Sequence, residues 1–264
     1  MAKISVLLSF VSFFAVLLLF VPVICPVNAG EVFGYSQNTY SDELSDDYEN
    51  AMDYENPLVV SFAQLHISSE HSGNYSISQA CDIWDYTNDN WARINDPRGP
   101  DYISSCSGTI KSNLRGDCDD YSVFAASLIE ALGGKCRIVA AEGDNAGHTY
   151  PELYIGSNES EVLDACKYVA ERYGCKMVWY SYSEESGEFS YWLNMDWVVP
   201  KYYGVKYYIY GDTSVDVEAY HPGRVYFDSD SLTNFYPGGE WDTGYPEFGY
   251  YIRTIYGIES LNDS

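Results

Sequence analysis

The chain has 264 residues, of which 14 are Lys or Arg and 39 are Asp or Glu, so its formal net charge is −25. This length and a hydrophobic content of 46% suit one large packed domain or two small ones. The charge repels nucleic-acid phosphates and anionic membrane surfaces, and no cluster of Lys and Arg offers a local exception, so we exclude nucleic-acid binding.

The N-terminal residues 1–29 have the pattern of a signal peptide. Lys3 precedes an uncharged apolar run over residues 4–25, and the small-residue pattern at 27–29 suits cleavage. The apolar run is long for a secretory segment, so an uncleaved membrane anchor is the alternative. Lipid attachment at the cysteine of this run is disfavoured, because Ile24 stands where a small residue is expected. Either way, the sequence predicts that the remaining chain is secreted or lies at the extracytoplasmic cell surface.

Residues 30–58 are predicted to be an acidic, flexible spacer. Eight carboxylates and no basic residue fall between Gly30 and Asn56, and the first Lys or Arg after Lys3 is Arg93. A segment with so much charge of one sign is typical of a solvated, unfolded connection.

The first helix is predicted to begin at Ser76. Ser76 and Gln79 have the spacing of a capping box, and the apolar residues that follow lie on one helix face as far as Trp91. Turn residues over 95–100 end this helix.

The second helix is predicted to run from Cys118 to Leu132, where Gly133 and Gly134 end it. Beyond it the pattern indicates strands at Lys135–Ala141 and His148–Ile155, a surface helix at Ser157–Gly174, a polar loop at Ser181–Ser190 and a strand at Tyr191–Val199. Pro151 argues for an edge position or a bulge in the second of these strands. After Pro200 the chain has twelve tyrosines between Tyr202 and Tyr256, which suits short strands. The predicted fold class is α+β.

Six cysteines follow residue 29, in a compartment where disulfides persist. If one is a working thiol, the other five cannot all pair. Cys136 lies in an apolar run and is predicted to be a small buried residue. Cys166 and Cys175 are close enough in sequence to pair, but the spacing leaves the connectivity open.

Three residues have the chemistry of a thiol enzyme. Cys118 begins a helix, where free N–H groups and the helix dipole favour a thiolate. His148 follows a Gly-rich loop and could move a proton, and Asp196 is an acid in an aromatic segment that could accept an imidazole N–H. Spacing alone does not tie the three together. The acids at 117, 119 and 120 are adequately explained as helix N-terminal caps and dipole partners.

The motifs around these residues resemble the transglutaminase-like superfamily, and more narrowly its exported or surface-associated microbial members. The resemblance rests on LRGDCDD at 114–120, GH at 147–148 and WLNMDW at 192–197, and it extends over about Ser76–Asp196.

The resemblance implies a papain-like core, with the nucleophile at a helix N-terminus packed on an antiparallel sheet. Cys118 would be the nucleophile, His148 the general base and acid, and Asp196 the residue that orients His148, with Asp164 as a substitute acid. The domains would be a catalytic core at 59–200 and a Tyr-rich β extension of it at 201–264. The backbone N–H of Cys118 suits an oxyanion hole, and a side chain such as Gln79 or Trp91 is the second candidate. Cys106 departs from the family pattern, because a second thiol near Cys118 could form a disulfide.

The implied function is cysteine-dependent acyl transfer on amide bonds of a protein or cell-envelope peptide. Because water is abundant outside the cell, we expect hydrolysis rather than cross-linking. The alternatives are a true transglutaminase and a non-catalytic surface module whose Tyr-rich part stacks on sugars. We expect no cofactor and no metal, because the four histidines are scattered and Asp85–Asp96 lacks the glycine and glutamate of an EF-hand loop. Membrane contact is expected only through an uncleaved N-terminus, and the sequence leaves the oligomeric state open.

Overall fold

The computed structural model describes residues 37–96, 102–143, 146–175, 177–197, 206–208, 222–223, 226–228, 231–243, 247–252 and 262–263. The predicted signal peptide or anchor at 1–29 lies outside these residues. No helix in the part of the chain that is described has the length and hydrophobicity needed to cross a membrane.

The helices and strands alternate along the middle of the chain. The described helices are α1 (Gln37–Ala51), α2 (Pro57–Leu65), α3 (Ile77–Asn90), α4 (Cys106–Lys111), α5 (Cys118–Ala131) and α6 (Glu159–Tyr173), and a 3₁₀ turn covers Ser69–His71. The described strands are β1 (Ala92–Arg93), β2 (Arg115–Gly116), β3 (Cys136–Gly143), β4 (Ala146–Gly156), β5 (Met177–Glu185), β6 (Glu188–Asn194), β7 (Lys206–Tyr208), β8 (Tyr226–Asp228), β9 (Ser231–Phe235), β10 (Trp241–Thr243), β11 (Glu247–Ile252) and β12 (Asn262–Asp263).

An eight-stranded antiparallel sheet forms the centre of the structure. Its order is β10-β9-β3-β4-β6-β5-β11-β12, so the C-terminal strands extend the sheet at both edges. Helix α5 packs against β3 and β4, with α2, α3 and α4 against α5 in turn. The predicted α+β class is confirmed, with the Tyr-rich part contributing strands to the same sheet.

Helix α5 is buried along almost its whole length. Its residues Cys118–Ile129 are all buried, including Asp119, Asp120 and two serines. A surface helix has one apolar stripe, whereas a helix enclosed on all sides carries apolar residues on every face. The central helix therefore has its first turn inside the protein, which determines the environment of Cys118.

The predicted acidic spacer at 30–58 differs from the structure where it is described. Residues 37–51 form α1, and Tyr48, Ala51 and Met52 are buried in the core. These three residues lie at helical spacing, so one apolar face packs inward while the carboxylates lie on the solvent face. Because carboxylates dominate the composition of this segment, the sequence did not indicate its narrow apolar face.

Pro151 lies in an interior strand, between β3 and β6, rather than at a sheet edge. The carbonyl of Pro151 accepts a hydrogen bond from the N–H of Met195, just beyond the end of β6 at Asn194. The nitrogen and carbonyl of a strand residue point to the same side. The nitrogen of Pro151 therefore faces Met195 as well and cannot donate to its carbonyl, which accepts the hydroxyl of Tyr121 at 3.2 Å instead. The register shift of β4 occurs between Tyr154 and Gly156 instead.

The predicted polar loop at Ser181–Ser190 is a β-hairpin made by β5 and β6. Ser186 and Gly187 turn the chain with φ of 55° and 86°. Two successive positive φ values are the signature of a tight hairpin turn. The acidic residues beside the turn gave the segment the composition of a loop, although the strands continue through it.

Helix α3 confirms the predicted start, because Ser76 is its N-cap, but it ends at Asn90 with Trp91 as its C-cap, before the turn residues at 95–100 that were predicted to end it. The predicted capping box is absent, since Ser76 makes no side-chain cap bond and its hydroxyl pairs with that of Ser78. The Gln79 amide turns away from the helix and donates to the carbonyl of His71, at an Nε2 to O distance of 2.7 Å.

Candidate active site

Cys118 is the first residue of α5, and its side chain is only 3% exposed. The short parallel pairing of β1 with β2 leads the chain into this helix at Gly116. A Cβ atom at Gly116 would collide with the side chain of Asp120, so the tight entry to the helix requires glycine there. The entry places Cys118 in the first turn of the helix, where backbone N–H groups have no intrahelical partner.

His148 and Asp196 form a buried pair. The Nε2 atom of His148 lies 2.6 Å from Oδ2 of Asp196, and neither side chain is more than 1% exposed. His148 lies on β4 and Asp196 follows β6, which is the next strand of the sheet. When the Asp196 carboxylate accepts the Nε2 proton, the other ring nitrogen, Nδ1, is the basic one in a neutral imidazole.

The Asp196 carboxyl group is held in place by its neighbours. Its Oδ1 atom accepts the N–H of Trp197 at 2.8 Å, and its own N–H donates to the side chain of Asn194 at 2.8 Å. The indole of Trp84, on α3, donates to the Asp196 carbonyl at 3.3 Å. The bond to Oδ1 and the two bonds to the backbone hold Asp196 in the orientation in which Oδ2 contacts His148.

Asp119 brings a second buried carboxylate to the start of α5. Its Oδ1 lies 3.8 Å from the sulfur of Cys118 and accepts the phenol of Tyr48, on α1, at 3.3 Å. Burial raises the pKa of Asp119 above its ordinary value of 3.8, although hydrogen bonds from Thr149 and Tyr48 oppose this. Burial likewise raises the pKa of Asp120, which accepts the Ser104 N–H at 2.7 Å.

The two acids therefore do not act as the helix caps that the sequence allowed. Asp117 is the N-cap residue, but its side chain makes no cap bond, and Asp119 and Asp120 lie inside the helix and turn inward. The sequence gives no signal that Tyr48 lies beside Asp119, because the acidic composition around it predicts a spacer rather than α1.

The raised pKa of Asp119 predicts a specific pH dependence of stability. Between the unfolded and folded pKa values the folded state binds more protons, so the free energy of unfolding falls as pH rises through this window. Asp119→Asn has no carboxyl group to ionise, so its stability should not fall in this pH window. We expect the variant to have a higher free energy of unfolding than the unchanged protein at pH 7, and nearly the same value at pH 3. Urea unfolding at both pH values measures the effect. Asp47→Asn, at an exposed position of α1, is the control and should change neither value. Equal destabilisation at both pH values by Asp119→Asn would contradict the assignment.

The region around the candidate site is similar to a known protein family. Residues 65–170 match the transglutaminase-like superfamily. This segment, which includes Cys118 and His148, is therefore similar to that superfamily. A search of curated proteins found no match.

Two solved structures resemble part of the chain. One, from Cytophaga hutchinsonii and described as a candidate cysteine protease, has 18% identity and a TM-score of 0.32, and the match covers 48% of this chain and 42% of that one. The other, from Parabacteroides distasonis and described as a candidate protease, has 15% identity and a TM-score of 0.35, with 43% and 23% covered. The chain thus spans less than half the length of either structure.

Trp91 and Gln79 lie at opposite ends of α3. The Trp91 ring is 5.4 Å from that of Tyr121, in the first turn of α5, and 6.4 Å from that of Trp197. Gln79 instead lies near Leu132, beyond the last turn of α5. Gln79 is therefore excluded as a side-chain donor to an oxyanion beside Cys118. Trp91 lies at the end of α3 that packs near the first turn of α5, where Cys118 is located.

No disulfide joins the six cysteines in the described part of the core, and all six are buried. Cys136 is 2% exposed, as predicted. The Cys106 sulfur lies 3.9 Å from the carbonyl of Phe124, one of the packed residues of α5, so this second thiol is part of the core. Asp164 lies on the exposed side of α6, away from the core interior that holds His148.

One group of carboxylates is close enough to contact a common cation. Oxygens of Asp96, Asp117 and Asp120 lie within 4.8 Å of one another. Such acidic groups are common on proteins without a bound ion, and nothing else among the described residues indicates one. We therefore assign no metal to this cluster.

Proposed function

We propose that this protein is a cysteine-dependent enzyme that acts on amide bonds through a Cys118, His148 and Asp196 triad. The observation that carries the proposal is the buried 2.6 Å contact between His148 and Asp196. A structural histidine does not need a dedicated, doubly anchored carboxylate, whereas a histidine that becomes positively charged during a reaction does. The similarity of residues 65–170 to the transglutaminase-like superfamily supports the same assignment.

In the proposed mechanism, Nδ1 of His148 takes the proton of the Cys118 thiol. The thiolate attacks the amide carbonyl, and collapse of the tetrahedral intermediate breaks the C–N bond as His148 returns the proton to the leaving nitrogen. A thioester then links Cys118 to the acyl group. Water or a second amine attacks it, again giving its proton to His148, and the thiol is regenerated. Asp196 stabilises the imidazolium at both stages.

The developing oxyanion requires hydrogen-bond donors. The backbone N–H of Cys118 is one, because it belongs to the first turn of a helix and its partner is not an intrahelical carbonyl. The Trp91 indole nitrogen is our second donor, since it is buried and has no hydrogen-bond partner among the described residues.

We further propose that the enzyme is exported, that its substrate is a protein or cell-envelope peptide, and that hydrolysis dominates over cross-linking. The N-terminal sequence pattern supports export. The acyl acceptor is tested by incubating the protein with a glutamine peptide and a fluorescent primary amine. Release of ammonia without incorporation of the amine is expected. Incorporation that exceeds hydrolysis would instead make the protein a true transglutaminase, and Cys118→Ala is the control for both products.

The triad itself is tested by the rate at which iodoacetamide labels Cys118 between pH 5 and 8, followed by peptide mass spectrometry. We expect fast labelling below pH 7, because an adjacent imidazolium stabilises the thiolate. His148→Ala should slow labelling at pH 6 by at least about tenfold, toward the rate of an ordinary thiol. His66→Ala is the matched control, since His66 packs on Phe62 and Tyr86.

Slow labelling of Cys118 in the unchanged protein would contradict the triad, as would a rate that His148→Ala leaves unaltered. Either result would favour the non-catalytic surface module. The core thiol of Cys106 provides an internal reference within the same digest, because it is fully buried and should label only on unfolding.

A further inference from the structure

Asp119 lies against the nucleophile of the proposed reaction, and the proposed mechanism gives it no role. Its Oδ1 atom is 3.8 Å from Sγ of Cys118, a distance at which a thiol donates a hydrogen bond to a carboxylate. Cys118 is 3% exposed and Asp119 is 6% exposed. Two acidic groups thus meet away from solvent, where each affects the ionisation of the other.

The Asp119 carboxyl group is held in this position by two other elements. The phenol of Tyr48, on α1, donates to Oδ1 at 3.3 Å, and the side chain of Thr149, on β4, forms a second hydrogen bond with the carboxyl group. Tyr48 and Thr149 are each 2% exposed. These bonds hold the carboxyl group inside the protein, so that it stays beside Cys118.

The charges around this contact favour one anion rather than two. Among the described residues, the titratable groups that face Asp119 in addition to Cys118 are Tyr48 of α1, His148 of β4, Asp96 after β1 and Asp120 of α5. Only protonated His148 is a cation in this group. It can stabilise a negative charge on Cys118 or on Asp119, whereas charges on both would repel each other at close range.

The two acids are also similar in strength. Burial raises the pKa of Asp119 above its ordinary value of 3.8, against the opposing effect of the hydrogen bonds from Thr149 and Tyr48. A cysteine at a helix start beside an imidazolium ionises in the range of roughly 3.5–7.5. When two acids of similar strength repel each other after ionisation, they lose their protons in two steps that belong to the pair.

We propose that Cys118 and Asp119 share one proton around neutral pH, so that Asp119 limits the fraction of Cys118 that is a thiolate. In one form of the pair Cys118 is a thiolate and Asp119 is a neutral acid. In the other form the proton is on sulfur and Asp119 carries the charge. Both forms hold one proton, so the hydrogen bonds of Asp119 determine their ratio and pH does not.

This role rests on the proposed function of Cys118 as the nucleophile. Asp119 acts through Cys118, as a positioning residue for its proton, and does not contact the substrate. A nucleophile that is kept partly as the thiol is also less open to oxidation than a full thiolate.

The test measures the rate at which iodoacetamide labels Cys118 in the full chain from pH 4 to pH 10. In the unchanged protein we expect the rate to rise in two steps, because the pair loses two protons in succession. Asp119→Asn leaves a single acid, so we expect one step and a rate at pH 7 at least about threefold higher. The two curves should converge at both ends of the pH range. Asp47→Asn, at an exposed position of α1, is the control and should follow the unchanged protein.

A second variant keeps the carboxyl group and so protects the test against a loss of structure. Tyr48→Phe removes a hydrogen bond that stabilises the ionised form of Asp119, so the shared proton moves from Cys118 toward Asp119. Labelling at pH 7 should rise about two- to threefold. Tyr86→Phe is the matched control, because Tyr86 packs on Phe62 and His66 of α2 and its C-cap.

The proposal is overturned if Asp119→Asn labels at the same rate as the unchanged protein at pH 7, or if Tyr48→Phe labels more slowly there. It is also overturned if Asp119→Asn changes the rate by the same factor at every pH, which is the result expected for a purely structural residue. Failure of the triad gives a different result, namely slow labelling of the unchanged protein and no effect of His148→Ala. A triad that works without proton sharing would keep the effect of His148→Ala and show none for Asp119→Asn.

Discussion

Asp196→Asn is expected to lower kcat/KM for amide hydrolysis by roughly 10²–10⁴-fold while the protein remains folded. The asparagine can still accept the Trp197 N–H through its Oδ1, so the local backbone is preserved. At the position of Oδ2 it presents either an NH₂ group, which cannot accept the His148 proton, or a neutral oxygen, which stabilises imidazolium poorly. The wrong tautomer of His148 then directs a proton, instead of a lone pair, toward the thiol.

The matched control is Asp164→Asn. Asp164 was the substitute acid suggested by the sequence, and it lies on the exposed side of α6. This variant should retain full activity and normal iodoacetamide labelling. If Asp164→Asn abolished activity and Asp196→Asn did not, the roles assigned to the two acids would be reversed. If neither changed the rate, the His148 and Asp196 contact would be structural.

Two of the three site residues that the sequence singled out, His148 and Asp196, are in contact in the structure. Cys118, His148 and Asp196 each lie in a short motif whose residue types suit the chemistry of a thiol enzyme. His148 and Asp196 are 48 positions apart and still meet, because β4 and β6 are adjacent antiparallel strands. Sheet adjacency of this kind cannot be derived from periodicity, since it depends on long-range pairing.

The structural differences from prediction have a common physical cause. At α1 and at the hairpin of β5 and β6, the exposed side of the element is strongly acidic, so composition indicated a loop. In α1 the buried face is narrow, and at the tip of the hairpin residues 183–189 are exposed on both faces, so the apolar pattern that indicates a helix or a strand is weak in both segments. Helix α1 nevertheless reaches the candidate site, where Tyr48 contacts Asp119. A segment that looked like a solvated connection therefore forms part of the wall beside Cys118.

The largest effect on stability is expected for Glu152→Ala. Arg137 on β3 and Glu152 on β4 are cross-strand partners, and their side chains are 2% and 4% exposed with N to O distances of 2.7 and 2.8 Å. Ser181 donates to the second Glu152 oxygen at 3.0 Å, and the Arg137 guanidinium lies 4.4 Å from the centre of the Trp192 ring. Burial alone would lower the pKa of Arg137, but Glu152 and Tyr236 outweigh it and raise the pKa. Arginine thus stays charged.

Removing the carboxylate leaves this buried cation without its partner, and the expected loss is about 3–5 kcal/mol in the free energy of unfolding. Urea unfolding at pH 7 measures it. Asp85→Asn is the control, because Asp85 pairs with Arg172 near the surface, at 39% and 20% side-chain exposure, and should cost at most about 1 kcal/mol.

A double variant distinguishes the unpaired charge from the lost packing. Arg137→Met with Glu152→Leu removes both charges and fills most of the same volume, so it should recover most of the stability that Glu152→Ala loses. If the double variant were as unstable as Glu152→Ala, the cost would come from packing rather than charge. If Glu152→Ala lowered the free energy of unfolding no more than Asp85→Asn does, water or another acceptor would be satisfying the Arg137 guanidinium.

The Arg137–Glu152 pair also connects the strands that carry the site. Glu152 lies on β4, the strand of His148, and the Arg137 guanidinium packs on Trp192 of β6, the strand that leads to Asp196. Loss of the pair should therefore also slow iodoacetamide labelling of Cys118 in the fraction that remains folded.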